Sequence, residues 1–160
     1  MKSPDDANFD VAFKSPVGWL GLRTENGKLV ELALSEDEPE NSGQENPVLQ
    51  TSLRALDSYF SGSSKVIFPE MQAVGTPFQK RVWQELSAIP FGYTLTYGEV
   101  ARRLNTHPRA VGGACRANPL VVLVPCHRVV SASGLGGFSG HATGHWPRVK
   151  DWLLRHEGVA

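Results

Sequence analysis

The sequence predicts two folded parts in series. Residues 1–75 read as a small α/β N-terminal domain, an antiparallel sheet plus one helix. Residues 76–160 read as a mainly α, winged helix-turn-helix-like domain. Three observations carry this. The first part alternates apolar and polar residues around an Asn-Gly pair, a hairpin signal. The second opens on a capping-box pattern at Thr76 and repeats it at Thr96, marking two helix starts. A tight break, Asn105-Thr106-His107-Pro108, then separates two short helical segments, as in a helix-turn-helix.

The elements follow in order. Phe9, Val11 and Phe13 alternate as a half-buried strand does. Trp19-Leu20-Gly21-Leu22 and Leu29-Val30-Glu31-Leu32-Ala33-Leu34 make two more strands, joined through Glu25-Asn26-Gly27-Lys28. The acidic residues 35–46 read as a loop. Leu49, Leu53, Leu56 and Phe60 recur at helical spacing, and Ser61-Gly62-Ser63-Ser64 ends that helix. Val66-Ile67-Phe68 suggests a short strand in the connector.

In the second part, Phe78, Val82, Trp83, Leu86 and Ile89 form the buried stripe of a helix stopped by Pro90-Phe91-Gly92. Thr96-Tyr97-Gly98-Glu99 opens a helix through Leu104. A third covers about residues 108–117, ended by Asn118-Pro119. It contains Gly112-Gly113, and each glycine inside a helix costs roughly 1 kcal/mol relative to alanine. Either another backbone approaches these small residues, or they pack against a neighbouring helix. Leu120-Val121-Val122-Leu123-Val124 reads as a buried strand leading into Pro125-Cys126-His127-Arg128. A glycine-rich stretch, 134–140, precedes a last helix starting near Pro147, with Val149, Trp152, Leu153 and His156 on or near its apolar side and Gly158 as its stop.

Charge and composition narrow the function classes. No apolar run approaches the roughly 20 residues that cross a bilayer, and the N-terminus lacks a signal-peptide core. The expectation is a cytoplasmic protein without membrane partners. Two cysteines, Cys115 and Cys126, make no disulfide framework, and no Cys-x-x-Cys pair or clustered histidine suggests a metal. The net charge is zero, but its distribution is not even. Residues 1–75 hold six Lys/Arg against twelve Asp/Glu, whereas residues 76–160 hold ten against four. A basic C-terminal half suits a polyanionic partner; two domains with oppositely charged surfaces are the plainer explanation.

Cys126 stands out chemically. Alone, a cysteine after an apolar run is inert packing. Its neighbours His127 and Arg128 can favour the thiolate, the nucleophilic form. Adjacent side chains diverge along an extended segment, so a bridging water is the route from thiol to imidazole. A carboxylate should orient that imidazole, and Glu157 is the best candidate.

Pro125-Cys126-His127-Arg128-Val129-Val130 resembles the signature of the O6-alkylguanine-DNA alkyltransferases. The resemblance extends through Thr76-Pro77-Phe78-Gln79-Lys80-Arg81-Val82-Trp83, Thr96-Tyr97-Gly98-Glu99-Val100-Ala101, Arg109-Ala110-Val111-Gly112-Gly113-Ala114, Asn118-Pro119 and Lys150-Asp151-Trp152-Leu153-Leu154-Arg155-His156-Glu157-Gly158. It covers nearly all of residues 76–160, while residues 1–75 match only in size and pattern.

The resemblance implies DNA repair by single-use, irreversible transfer of a methyl or other alkyl group from O6 of guanine, with O4 of thymine as a further substrate, onto Cys126. It implies His127 as a water-linked base, Glu157 as its orienter and Asn118 as a hinge tying the recognition helix to the active-site strand. Tyr97 would help rotate the nucleotide and hydrogen-bond the extruded base. Arg109 would fill the gap in the duplex. Gly112, Gly113 and Ala117 would face the minor groove, with Thr96 and Arg116 also on the DNA side. Val129, Phe138 and Ser139 would contact the guanine. Base flipping is required because O6 lies inside the duplex. The implied partner is double-stranded DNA carrying O6-alkylguanine, bound by a monomer, with no cofactor and no metal.

The sequence departs from the pattern in places. Phe138 stands where many members have Tyr, removing a pocket hydroxyl. Residues 141–149 form a longer loop than usual, read as a tolerated surface insertion. The zinc site of some members is absent, because residues 1–75 contain neither Cys nor His. Two other classes stay open: a non-enzymatic alkylguanine-binding module with an unreactive Cys126, and a thiol hydrolase that turns over.

Overall fold

The computed structural model describes residues 9–63, 65–134, 136 and 145–159. The chain divides into two compact units, Met1–Val74 with Pro119–Val121, and Gly75–Asn118 with Val122–Ala160.

The first unit is an antiparallel sheet of β1 (Val11–Ser15), β2 (Gly18–Glu25) and β3 (Lys28–Ser35), in that order, with α1 (Pro47–Phe60) against it. Asn26 and Gly27 both take positive φ, 51° and 74°, the backbone that a two-residue hairpin turn requires. The register pairs Leu20 with Leu34 and Leu22 with Leu32, so one sheet face is a leucine layer. Leu20, Leu22, Leu29, Leu32 and Leu56 are fully buried, and truncating any one to Ala costs about 2–5 kcal/mol. The Asn46 side chain caps α1 by accepting from the Leu49 N–H, and Pro47 begins the helix. Its inward stripe is Leu49, Ser52, Ala55, Leu56 and Tyr59; Leu53 and Phe60 are only half-buried.

Two expected strands do not form. Val66-Ile67-Phe68 is irregular, and Ile67 is 80% exposed. The edge of β3 is instead occupied by Met71, with Leu29 N–H donating to the Glu70 carbonyl. Leu120–Val124 is no strand either. Leu120 makes one bridge to Leu32, and the chain then turns through Val122 at φ 71°. Leu120, Val122, Leu123 and Val124 are nonetheless all buried. The apolar run reported burial correctly, but a buried turn and a buried strand share that signature.

The second unit contains α2 (Pro77–Ser87), β4 (Leu95–Thr96), α3 (Tyr97–Arg103), α4 (Pro108–Arg116), β5 (Val129–Val130) and α5 (His145–His156). Both capping boxes are closed, Thr76 with Gln79 and Thr96 with Glu99. Helix α4 packs on α2 and α3, pinned where Trp83 Nε1 donates to the Ala114 carbonyl at 2.8 Å. β4 and β5 pair in parallel, holding the start of α3 beside the residues that follow Cys126. Helix α5 begins two residues before the expected Pro147.

Candidate active site

Cys126 opens a single 3-10 turn, Cys126–Arg128, between the 121–124 turn and β5. Its position is set by Asn118 at the end of α4. The Asn118 side-chain amide donates to the Val124 carbonyl at 2.8 Å, and the same carbonyl accepts the Cys126 N–H at 2.8 Å. One side chain thereby closes the loop from α4 to the thiol.

His127 and Glu157 meet in the core. Both side chains are fully buried, and Nε2 of His127 lies 2.6 Å from Oε2 of Glu157. Nδ1 of His127 has no hydrogen bond to protein. The carboxylate therefore fixes one tautomer, proton on Nε2 and lone pair on Nδ1, as an orienter should. Glu157 also accepts from Arg128, Nε to Oε1 at 2.7 Å.

Arg128 corrects one expectation. Its guanidinium turns onto Glu157 and the Ile89 carbonyl. The cation that favours the Cys126 thiolate is Lys150 on α5, a residue the sequence reading passed over. Lys150 has no exposed surface, and its Nζ donates to the Val129 carbonyl at 2.7 Å and lies 3.5 Å from the Tyr97 hydroxyl. A signal for it was present: Pro147, Lys150, Leu154 and Glu157 recur at three- and four-residue spacing, so this lysine sits on the buried stripe. Trp152 and His156, expected near that stripe, are half-buried and stack on each other at 4.8 Å.

Burial governs the ionisation of the cluster. It pushes the Cys126 thiol up, against the Asn118 hydrogen bond and the Lys150 charge that pull it down. It raises Cys115 to about 12, assisted by Cys126, and raises Tyr97 to about 12. Lys150 is lowered to about 8 by burial, partly offset by the two cysteines. His127 is lowered by burial in spite of Glu157. The resting state at neutral pH is thus a protonated thiol beside a neutral imidazole.

The other anticipated residues fall on two further surfaces or outside the described ones. Arg109, Gly113, Arg116 and Ala117 are exposed along α4, and Gly112 is half-buried. A Cβ at Gly112 or Gly113 would meet nothing within 4 Å, so packing against a neighbouring helix is not why they are glycine. Thr96 caps α3 by accepting from the Glu99 N–H, leaving its hydroxyl proton free to donate. Val129 is fully buried, and its carbonyl already holds Lys150. Gly136, at φ 78°, lies where a Cβ would come within 3.2 Å of the Tyr97 ring and 3.5 Å of Lys150 Nζ, so the chain comes this close only without a side chain. Phe138, Ser139 and residues 141–144 of the longer loop lie outside the described residues. Among the described residues, no three His, Cys, Asp or Glu side chains gather to hold a metal, and no helix is long and apolar enough to cross a membrane.

Known proteins are similar to this chain in sequence and fold. Residues 77–159 match the family model described as the DNA-binding domain of 6-O-methylguanine DNA methyltransferase. A methylated-DNA–protein-cysteine methyltransferase of Mycobacterium leprae is 41% identical over 133 residues, covering 79% of this chain and 81% of that protein. One from Methanosarcina acetivorans is 36% identical, covering 91% and 96%. The crystal structure of a Mycobacterium tuberculosis relative in complex with DNA superposes with a TM-score of 0.75 at 33% identity, covering 93% of this chain and 92% of that one. The chain belongs to the methylated-DNA–protein-cysteine methyltransferase family.

Proposed function

We propose that this protein repairs DNA by accepting an alkyl group from O6 of guanine on Sγ of Cys126, once per molecule. The observation that carries this is the burial of Cys126, His127 and Glu157 together with the 2.6 Å contact between the last two. The thiol proton passes to Nδ1 of His127 through a water. Sγ then attacks the alkyl carbon, an S–C bond forms, and the O6–C bond breaks with its electron pair on the purine. The purine, still part of the DNA, becomes guanine by regaining a proton, balanced by release of the one held on His127, while Tyr97 hydrogen-bonds the extruded base. The product is a thioether, which ordinary reductants do not cleave, so no second cycle follows.

Duplex DNA is the partner, and the α4 surface is the docking element. Bare Gly112 and Gly113 let a sugar-phosphate backbone approach, and exposed Arg109 and Arg116 flank them. Arg109 occupies the gap left by the flipped base, offsetting part of an unstacking cost of a few kcal/mol. Thr96 donates to a phosphate, and the Val129 backbone, Phe138 and Ser139 form the guanine pocket. The working form is a monomer in the cytoplasm. Incubating the protein with excess methylated duplex tests this: lesions repaired should plateau at one per protein. Repair continuing beyond that ratio contradicts single use and points to a turnover hydrolase.

A further inference from the structure

Arg128 is anchored before it reaches Glu157. Its Nη1 donates to the Ile89 carbonyl at 2.7 Å, just beyond α2, and its guanidinium lies 5.9 Å from the Phe91 ring. Nε and Nη2 then donate to Oε1 and Oε2 of Glu157 at 2.7 and 3.2 Å. Oε2 is the oxygen that His127 contacts at 2.6 Å. One buried carboxylate therefore serves two basic side chains, and a two-pronged grip by Arg is the stronger claim on it.

A buried carboxylate facing only an imidazole would favour a charged pair. With Arg128 already neutralising Glu157, a second positive charge on His127 would face Arg128 in the turn and Lys150 from α5 with little compensation. The remaining groups around the cluster, Cys126, Cys115 on α4 and Tyr97 on α3, are neutral when protonated. Building on the reading of Cys126 as acceptor and His127 as its base, we propose that Arg128 is a positioning residue: by clamping both oxygens of Glu157 it keeps His127 an uncharged proton acceptor until the thiol proton arrives. Burial lowers the His127 pKa most, Glu157 raises it, and the charges of Arg128 and Lys150 add to the lowering.

Single-turnover rates with O6-benzylguanine, measured from about pH 5 to about pH 8, test this in the wild type, Arg128→Gln and Arg128→Lys. In Arg128→Gln, Glu157 is released to charge His127. The acid limb should move up by about one pH unit, a tenfold lower rate along that limb. Arg128→Lys retains the charge but not the two-pronged grip, so its limb should lie between those of the wild type and Arg128→Gln. A limb unmoved in Arg128→Gln, with the rate lowered equally at every pH, would overturn the proposal. Should Arg128→Gln fail to fold, 15N shifts of the His127 ring in the unaltered protein decide. They should report a neutral ring protonated on Nε2 that titrates below the ordinary value of about 6.5, and titration at or above that value overturns it. Failure of wild-type Cys126 to gain any adduct would remove the underlying reading instead, an outcome distinct from an unmoved limb.

Discussion

The surface of α4 and the interior behind Cys126 break ordinary folding rules in opposite directions. On α4, glycine stands at positions 112 and 113 where alanine would fit without touching anything. In the interior, Lys150 and Glu157 occupy buried places where leucine would avoid the desolvation of two charges. Neither choice helps the chain fold. On the proposed function, the surface gives up helix stability to leave a smooth approach for a large partner. On the same reading, the interior gives up core stability to surround a thiol with a base, its orienter and a cation. Where both departures occur within one unit, stability and function should separate when either is repaired.

The largest separation should come from the interior. His127→Ala removes the proton acceptor and should slow transfer about 10²–10⁴-fold, measured as single-turnover rate, while DNA affinity stays within about twofold. Parallel loss of rate and affinity would mean that the interior is a structural strut. Lys150→Met should slow transfer about 10²-fold. The same change should leave unfolding free energy unchanged or raise it by about 1–3 kcal/mol, since an apolar residue replaces a buried cation. A strongly destabilised Lys150→Met would show that the Val129 and Tyr97 contacts hold the fold.

The surface should respond differently. Arg109→Ala should cut repair of duplex DNA about tenfold or more and leave the reaction with free O6-benzylguanine unchanged, because only the duplex requires base extrusion. Equal losses on both substrates would place Arg109 in the chemistry. The smallest effect is Gly113→Ala. Thermal or urea unfolding should show stabilisation of about 1 kcal/mol, accompanied by weaker DNA binding. Stabilisation with unaltered DNA affinity would leave the bare face of α4 without a role.

Local patterns made much of the fold legible. The hairpin at Asn26-Gly27, both capping boxes and the start of α2 at Pro77 are decided by neighbouring residues, and they appear where those residues place them. Elements decided by tertiary contact were less legible. The apolar run 120–124 is buried as a turn, because Leu32 takes up the backbone groups of Pro119 and Val121 and the chain must then change direction. The His127–Glu157 contact was anticipated because it joins residue types that need each other. Lys150 does not stand out in the sequence because a lysine is ordinarily exposed, although its spacing from Glu157 puts both on one stripe. Arg128 was assigned to the thiol from adjacency in sequence, whereas a 3-10 turn points successive side chains in different directions.

The chain has two buried or half-buried thiols, Cys115 and Cys126, and the proposed function gives only Cys126 a base and its orienter, His127 and Glu157. Intact-mass measurement after reaction with an O6-methylguanine duplex, followed by peptide mapping, tests that distinction directly. One methyl group per chain, located on Cys126 and absent from Cys126→Ala, is the expected result. A methyl group on Cys115, or retained in Cys126→Ala, would contradict the account.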